Sequence, residues 1–139
     1  MQIISVINQK GGVGKTTTVI NLAAGLSQLN KKILVIDLDP QGNATTGLGL
    51  SNMGNSKDTI YGVLNGTNEI ETVIQKTQFE NLDIITSNVD LSGLEVETAD
   101  DGNRAFILKT KLTAYLNNSR GSYDYVLIDC PPSLSLLTV

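Results

Sequence analysis

The stretch Ile3-Ile4-Ser5-Val6-Ile7-Asn8-Gln9-Lys10-Gly11-Gly12-Val13-Gly14-Lys15-Thr16-Thr17 decides the fold. Residues Ile3 to Ile7 are β-branched and apolar on both faces, as in a strand buried inside a parallel sheet. The glycine-rich run Gln9 to Gly14 follows directly, and consecutive glycines let several backbone N–H groups turn toward one anion. From Thr16 to Leu29 apolar residues recur at 19, 22, 23, 26 and 29, the period of a helix. A helix that starts after such a loop adds its N-terminal partial positive charge. Strand, glycine loop and helix in this order predict a phosphate-binding turn. Lys15 can reach β- and γ-phosphate oxygens, and the Thr16 hydroxyl is placed to ligate Mg²⁺. The usual pattern is G-x-x-x-x-G-K-S/T; here Gln9 stands at the first glycine position and an extra lysine, Lys10, opens the loop.

Downstream, Asn30-Lys31-Lys32 breaks the helical pattern, and Ile33 to Ile36 forms a second buried strand ending at Asp37. This completes a βαβ unit of the size such units need. Leu38 to Ser56 is rich in Gly, Asn, Asp, Thr and Ser and reads as a long loop or short helical turns, the kind of segment that is usually functional when it is ordered. Thr59 to Leu64 and Glu69 to Lys76 are short helix candidates. Leu82 to Thr86 is a third strand, Leu91 to Ala99 and Arg104 to Leu116 are helices, and Tyr125 to Ile128 is a fourth strand ending at Asp129. Short apolar strands with helices between them predict an α/β fold, a mainly parallel sheet flanked by helices.

Composition bounds the chemistry. The chain of 139 residues has 10 basic and 14 acidic side chains, a net charge of -4, one cysteine and no histidine. Zinc sites and imidazole-dependent triads are excluded. A single cysteine forms no internal disulfide and fits a reducing compartment. The acidic balance argues against a dedicated nucleic-acid module within these residues. Apolar runs are too short to span a bilayer, and no signal-peptide pattern precedes the first strand. The remaining chemistry belongs to Lys, Asp, Thr, backbone amides and a hard metal ion.

Two further segments fit that inventory. Asp129 ends the fourth strand and is followed by Cys130-Pro131-Pro132-Ser133. Beside a phosphate loop, a carboxylate there would hold Mg²⁺, whereas alone it would be a turn or cap residue. Asp37-Leu38-Asp39-Pro40-Gln41-Gly42-Asn43-Ala44-Thr45 follows the second strand, at the edge where open α/β sheets bind ligands. Without histidine, an aspartate is the natural group to orient an attacking water, although this string also fits turn chemistry. Cys130 reads as a small reduced residue and Glu95, Glu97, Asp100 and Asp101 as a solvated helix end. Tyr61, Phe79, Phe106 and Tyr115 read as core or boundary aromatics, and Lys109 and Lys111 as surface charges.

Together the strings NQKGGVGKTTT from Asn8, DLDPQGNATTGLG from Asp37 and YDYVLIDCPPSLSLLT from Tyr123 resemble the ParA/Soj/MinD family of deviant Walker ATPases, and most closely its Soj-like ParA partitioning ATPases. The resemblance runs along nearly the whole chain. It implies a P-loop NTPase fold and an Mg²⁺-ATP-dependent dimerisation switch with slow hydrolysis, acting in chromosome or plasmid partitioning. It implies that Lys15 is the phosphate-loop lysine, that Thr16 and Asp129 serve Mg²⁺, and that Gly11, Gly12, Val13, Gly14 and Thr17 hold phosphate oxygens. Lys10 matches the signature lysine that reaches the partner's nucleotide across an ATP-dependent homodimer. Asp39 matches the residue that positions the hydrolytic water, and Pro131 and Pro132 lie in the second switch. The implied cofactors are ATP and Mg²⁺, and ATP rather than GTP follows from the resemblance alone. The implied partners are a ParB-like activator and non-specific DNA, with no membrane, in the cytoplasm and on the nucleoid.

Relatives that position other cargo, as MinD does, are the neighbouring reading, and a non-hydrolysing nucleotide-binding module is a third. An electron-transfer ATPase like the nitrogenase iron protein needs several cluster-ligating cysteines, and this chain has one. Because ParA-like chains continue past a switch-II helix, residues 1–139 are expected to be the N-terminal part of a single ParA-like domain, truncated at the C-terminus. The fourth strand is then expected to lack a covering layer and to leave a sticky edge or surface.

Overall fold

The computed structural model describes residues 2–7, 13–38, 42–50, 59–64, 66, 68–87, 103–117 and 123–130, with backbone alone at 2–7, 13–17, 103–106 and 130. The elements are β1 (Gln2–Ile7), α1 (Val13–Gln28), β2 (Ile33–Asp37), α2 (Asn43–Gly47), α3 (Ile60–Leu64), α4 (Ile70–Val73), β3 (Ile74–Lys76), β4 (Leu82–Ile85), α5 (Asn103–Asn117) and β5 (Tyr125–Cys130). They build one sheet of order β1-β5-β2-β4-β3. Pairs β1–β5, β5–β2 and β2–β4 are parallel, and β3 runs antiparallel to β4. All four strands read from the sequence are present, and the fold is α/β with a mainly parallel sheet, as expected. The Leu91–Ala99 helix lies outside the described residues.

Helices cover both faces. Leu34, Ile36, Ile85, Val126 and Ile128 meet Ile60, Val63, Ile70, Val73, Leu108 and Leu112 of α3, α4 and α5. On the other face Ile33, Val35, Ile84 and Leu127 meet Val19 and Ala23 of α1 and Ala44 of α2. This corrects the expectation of an uncovered fourth strand. The strand is β5, inserted between β1 and β2, so both its edges are paired and Val126, Leu127 and Ile128 are buried. Tyr61, Phe79 and Tyr115 are partly buried against these cores, as boundary aromatics should be.

Three places refine the sequence reading: the start of α1, the segment after β2, where one of its two readings, short helical turns, holds for α2, and the end of the Glu69–Lys76 helix. Helix α1 starts at Val13 rather than Thr16, so the glycine loop supplies its first turn. The segment after β2 contains the short helix α2, entered through Gly42 at φ 67° and ψ 32°, a left-handed conformation glycine adopts without strain. A Cβ on Gly47 would collide with Ile20 Cδ1, so glycine there lets α2 lie directly against α1. Third, the Glu69–Lys76 helix stops at Val73, and Ile74 to Lys76 form the edge strand β3. Its partners are Ile85, Ile84 and Asp83. Backbone bonding to the open edge of β4 outweighs three residues of helix propensity, and β-branched Ile74 suits the extended state. The exposed Gln75 and Lys76 keep the new edge polar. Among the described residues no helix is long and apolar enough to cross a membrane.

The N-terminal ends of the parallel strands are tied by polar groups. Asp124 Oδ2 accepts the Lys32 N–H at 2.9 Å, and the Tyr123 hydroxyl donates to Asp83 Oδ2 at 2.7 Å. Burial first, then the bond to and charge of Asp83, hold the Tyr123 phenol well above its ordinary range. Tyr123→Phe should therefore cost about 1–2 kcal/mol near neutrality. Tyr123's share of stability is complete below the unfolded phenol pKa of 10.0 and is lost as pH rises above it, because only the unfolded chain then releases the proton. Urea midpoints at about pH 9 and about pH 11 should drop for the parent by more than for Tyr123→Phe. Equal drops would show that the phenol carries no such linkage.

Candidate functional site

Parallel strands deliver their C-terminal ends to one edge of the sheet, and the polar residues of interest gather there. Asp37 ends β2 and Asp129 lies near the end of β5, and the two are direct register partners. Side-chain alternation puts both with Ile33, Val35 and Leu127, on the face covered by α1. Asp129 is also the register partner of Val6 in β1, and β1 leads through the glycine loop into α1. Both carboxylates are fully buried. A carboxylate withdrawn from water needs donors or a cation, and Asp37 has donors: the Thr45 N–H at 2.9 Å and the Thr45 hydroxyl at 2.7 Å, both to Oδ2. The same Thr45 oxygen accepts the Ser87 N–H at 3.1 Å, just past the end of β4. Leu38 N–H donates to the Asp129 carbonyl at 3.0 Å, which carries the β2–β5 ladder one step past the end of β2.

The first four amides of a helix have no intrahelical acceptor. In α1 these belong to the glycine loop and the residues directly after it, and the first turn carries no acidic side chain that would answer them. A polyphosphate fits that demand, and a buried carboxylate on the adjacent strand is the hard oxygen donor that Mg²⁺ takes. Residues of this chain thus fit both groups.

Asp129 lies near the C-terminal end of β5, the fourth strand of the sequence reading. Gly14, Lys15, Thr16 and Thr17 occupy the first turns of α1, together with Val13. Lys10, Gly11, Gly12, Asp39, Pro131 and Pro132 lie outside the described residues. The sequence reading put one or both of Asp37 and Asp39 on the loop edge. Asp37 is a buried strand residue bonded to Thr45, and Asp39 lies outside the described residues. Thr45 and Ser87 were not singled out. Thr45 stood inside the DLDPQGNATTGLG string, and Ser87 follows a strand end as Leu38 does, yet neither position names its partner. The Ser87 hydroxyl is buried with no hydrogen-bond partner.

Comparison with known proteins follows the same lines. The family described as AAA domain matches residues 1–139. The chromosome partitioning protein ParA of Caulobacter vibrioides (strain NA1000 / CB15N) is 45% identical over 139 residues, 100% of this chain and 51% of that protein. The sporulation initiation inhibitor protein Soj of Bacillus subtilis is 45% identical over 138 residues, 99% of this chain and 53% of that protein. The chain thus spans about half the length of the curated relatives it matches. Cobyrinic acid a,c-diamide synthase from Mycobacterium smegmatis, solved with a bound ATP analog and magnesium, superposes with a TM-score of 0.84 at 37% identity, over 99% of this chain and 54% of its own. A plasmid partition protein from Borrelia burgdorferi superposes with a TM-score of 0.79 at 32% identity, over 99% of this chain and 59% of its own. The chain belongs to the AAA domain family, and within it to the ParA/Soj-like P-loop ATPases.

Proposed function

We propose that this protein is an Mg²⁺-ATP-dependent dimerisation switch that hydrolyses ATP slowly and acts in chromosome or plasmid partitioning. The observation that supports the reading is that β1, β5 and β2 are parallel neighbours, so that the end of β1, the buried Asp129 near the end of β5 and Asp37 at the end of β2 share one sheet edge, with β1 leading on to α1. Backbone amides from Gly11 to Thr17 and the Lys15 ammonium hold the phosphates, and Asp39 orients the attacking water. Thr16 and Asp129 are the ligands for Mg²⁺, which when bound neutralises charge on the phosphate oxygens. Lys10 reaches the partner's nucleotide, so that ATP joins two subunits. A relative named for chromosome partitioning and a solved plasmid partition protein support the biological role. A ParB-like activator and non-specific DNA are the partners this role calls for, in the cytoplasm and on the nucleoid.

Light scattering of the full-length protein tests the switch. With Mg²⁺-ATP the parent should shift from monomer to dimer mass, and Lys10→Ala should still bind ATP but stay at monomer mass. An unchanged dimer signal in Lys10→Ala would remove the in-trans role.

A further inference from the structure

The opposite edge of the sheet, where β2, β4 and β5 begin, holds a cavity of about 540 Å³. Lys32 lies directly before β2, so the cavity sits about 16 Å along the strand from Asp37, at the far end from the proposed nucleotide site. Lys76, Phe79, Asp83, Tyr115 and Tyr123 line it with Lys32. Phe79 packs against the core on the α1 face of the sheet and Tyr115 against the core on the other face, so the two rings come to the cavity from opposite sides. Backbone bonds fix its walls. The Thr77 hydroxyl donates to the Leu82 carbonyl at 2.7 Å and accepts the Phe79 N–H at 3.1 Å. Asn81 is left-handed at φ 67°, a conformation asparagine tolerates, and its carbonyl accepts the Ile33 N–H at 2.9 Å. The Lys32 backbone is held in turn by Asp124, whose Oδ2 accepts the Lys32 N–H at 2.9 Å and whose N–H donates to the Lys32 carbonyl at 2.7 Å.

The charged groups that line the cavity are Lys32, Lys76, Glu80 and Asp83. Asp83 Oδ2 is already taken by the Tyr123 hydroxyl at 2.7 Å, and Glu80 is exposed on the turn. Both lysine side chains are exposed, and neither ammonium has an ion-pair partner among the described residues. A cationic ligand would meet two uncompensated ammoniums; an anionic one would answer them. Burial first, then the charges of Glu71 and Asp83, raise the Tyr115 phenol above its ordinary value, so its hydroxyl stays protonated. We propose that this cavity binds a planar aromatic anion, its ring against Phe79 and Tyr115 and its acidic group paired with Lys32 and Lys76. Fixed walls, aromatic lining, a few polar groups and this volume are what small-molecule clefts share, and walls set in advance lower the ordering cost of binding. Aromatic carboxylates and nucleoside monophosphates both carry the required chemistry. The site goes beyond the proposed ATPase and uses none of its residues.

The test is calorimetric titration of the full-length protein at low salt, in saturating Mg²⁺-ADP, with two probes in separate arms: indole-3-acetate and guanosine 5′-monophosphate. At least one should bind with a Kd of about 1 mM or tighter. Binding of the first alone assigns the cavity to aromatic carboxylates, of the second alone to nucleoside monophosphates, and of both to the shared chemistry. The double variant Lys32→Ala/Lys76→Ala should weaken that binding about fivefold or more, the scale of two exposed ion pairs. Tyr115→Leu, which keeps apolar bulk and removes the ring, should weaken it about threefold or more. If Tyr115→Leu does not fold, as judged by its melting curve, the lysine pair decides, since both side chains are exposed. Binding by neither probe at that strength, or smaller losses in the folded variants, would overturn the site. Neither result bears on the proposed ATPase, which is read separately from hydrolysis by the parent.

Discussion

Asp39→Ala is expected to bind ATP as the parent does, to form the ATP-dependent dimer, and to hydrolyse 10²–10⁴-fold more slowly. The range is that of a positioned general base or water-orienting group, and corresponds to about 3–5.5 kcal/mol of lost transition-state stabilisation. Binding should survive because the proposed phosphate contacts, the amides of the glycine loop, Lys15 and the start of α1, lie on a different segment from Asp39. No histidine is available to take over the water. Phosphate release under steady-state conditions and titration with a fluorescent nucleotide separate the two effects. A hydrolysis rate within about threefold of the parent would take Asp39 out of the reaction, and lost binding would make it a structural residue.

Leu127→Ala should bring the largest loss of stability among single core truncations on β5. Leu127 is fully buried at the middle of the sheet, on a strand paired along both edges, and it packs on Val19 and Ala23 of α1 and on Val35 of β2. Neighbours fixed by strand hydrogen bonds cannot collapse into the space left behind, so the cost belongs in the upper part of the range of about 2–5 kcal/mol for Leu→Ala. Against a total of about 5–15 kcal/mol for a domain, that removes a large share. Urea unfolding should show a lower midpoint at unchanged m-value. Thr113→Ala, on the exposed side of α5, should stay within about 0.5 kcal/mol. Similar midpoints for both variants would mean that β5 is packed more loosely than its burial indicates.

Strands β1, β2 and β5 were legible in the sequence because each is a short β-branched run apolar on both faces, as strands with helices above and below are, and β4 was legible as the short run Leu82–Thr86. Strand β3 was not legible. Three residues carry no period, and only the open edge of β4 makes Ile74–Lys76 extended. The same holds for strand order. Nothing in Tyr125–Cys130 says that it pairs with β1 and β2 at once; the expectation of a bare fourth strand came from the truncated length, and it failed because β1 and β2 flank the strand and α1, α3, α4 and α5 cover its faces. At the sheet edge, the place of Asp129 near the end of β5 could be read from the apolar run before it. The Thr45 and Ser87 contacts could not, since Asp37 meets Thr45 across a turn of unspecified course and Ser87 reaches Thr45 from 42 residues away. The start of α1 was set too late because glycines score as helix breakers, although the first turn of an anion-binding helix is where they are needed.

The central place of β5 also sets an order of events on the ribosome. Strands β1 and β2 lie two positions apart in the sheet, and the strand that joins them is made about ninety residues after β2 ends. At roughly 5–20 residues per second of synthesis, the nascent chain spends about 4–18 s with both facing edges unpaired. During that interval neither Asp129 nor its register partnership with Asp37 exists, so the proposed nucleotide site cannot assemble early to stabilise the first helix and strands. Sheet closure and the birth of the site are then one event, and until it happens the emerging chain offers two apolar strand edges to whatever chaperone waits at the exit tunnel.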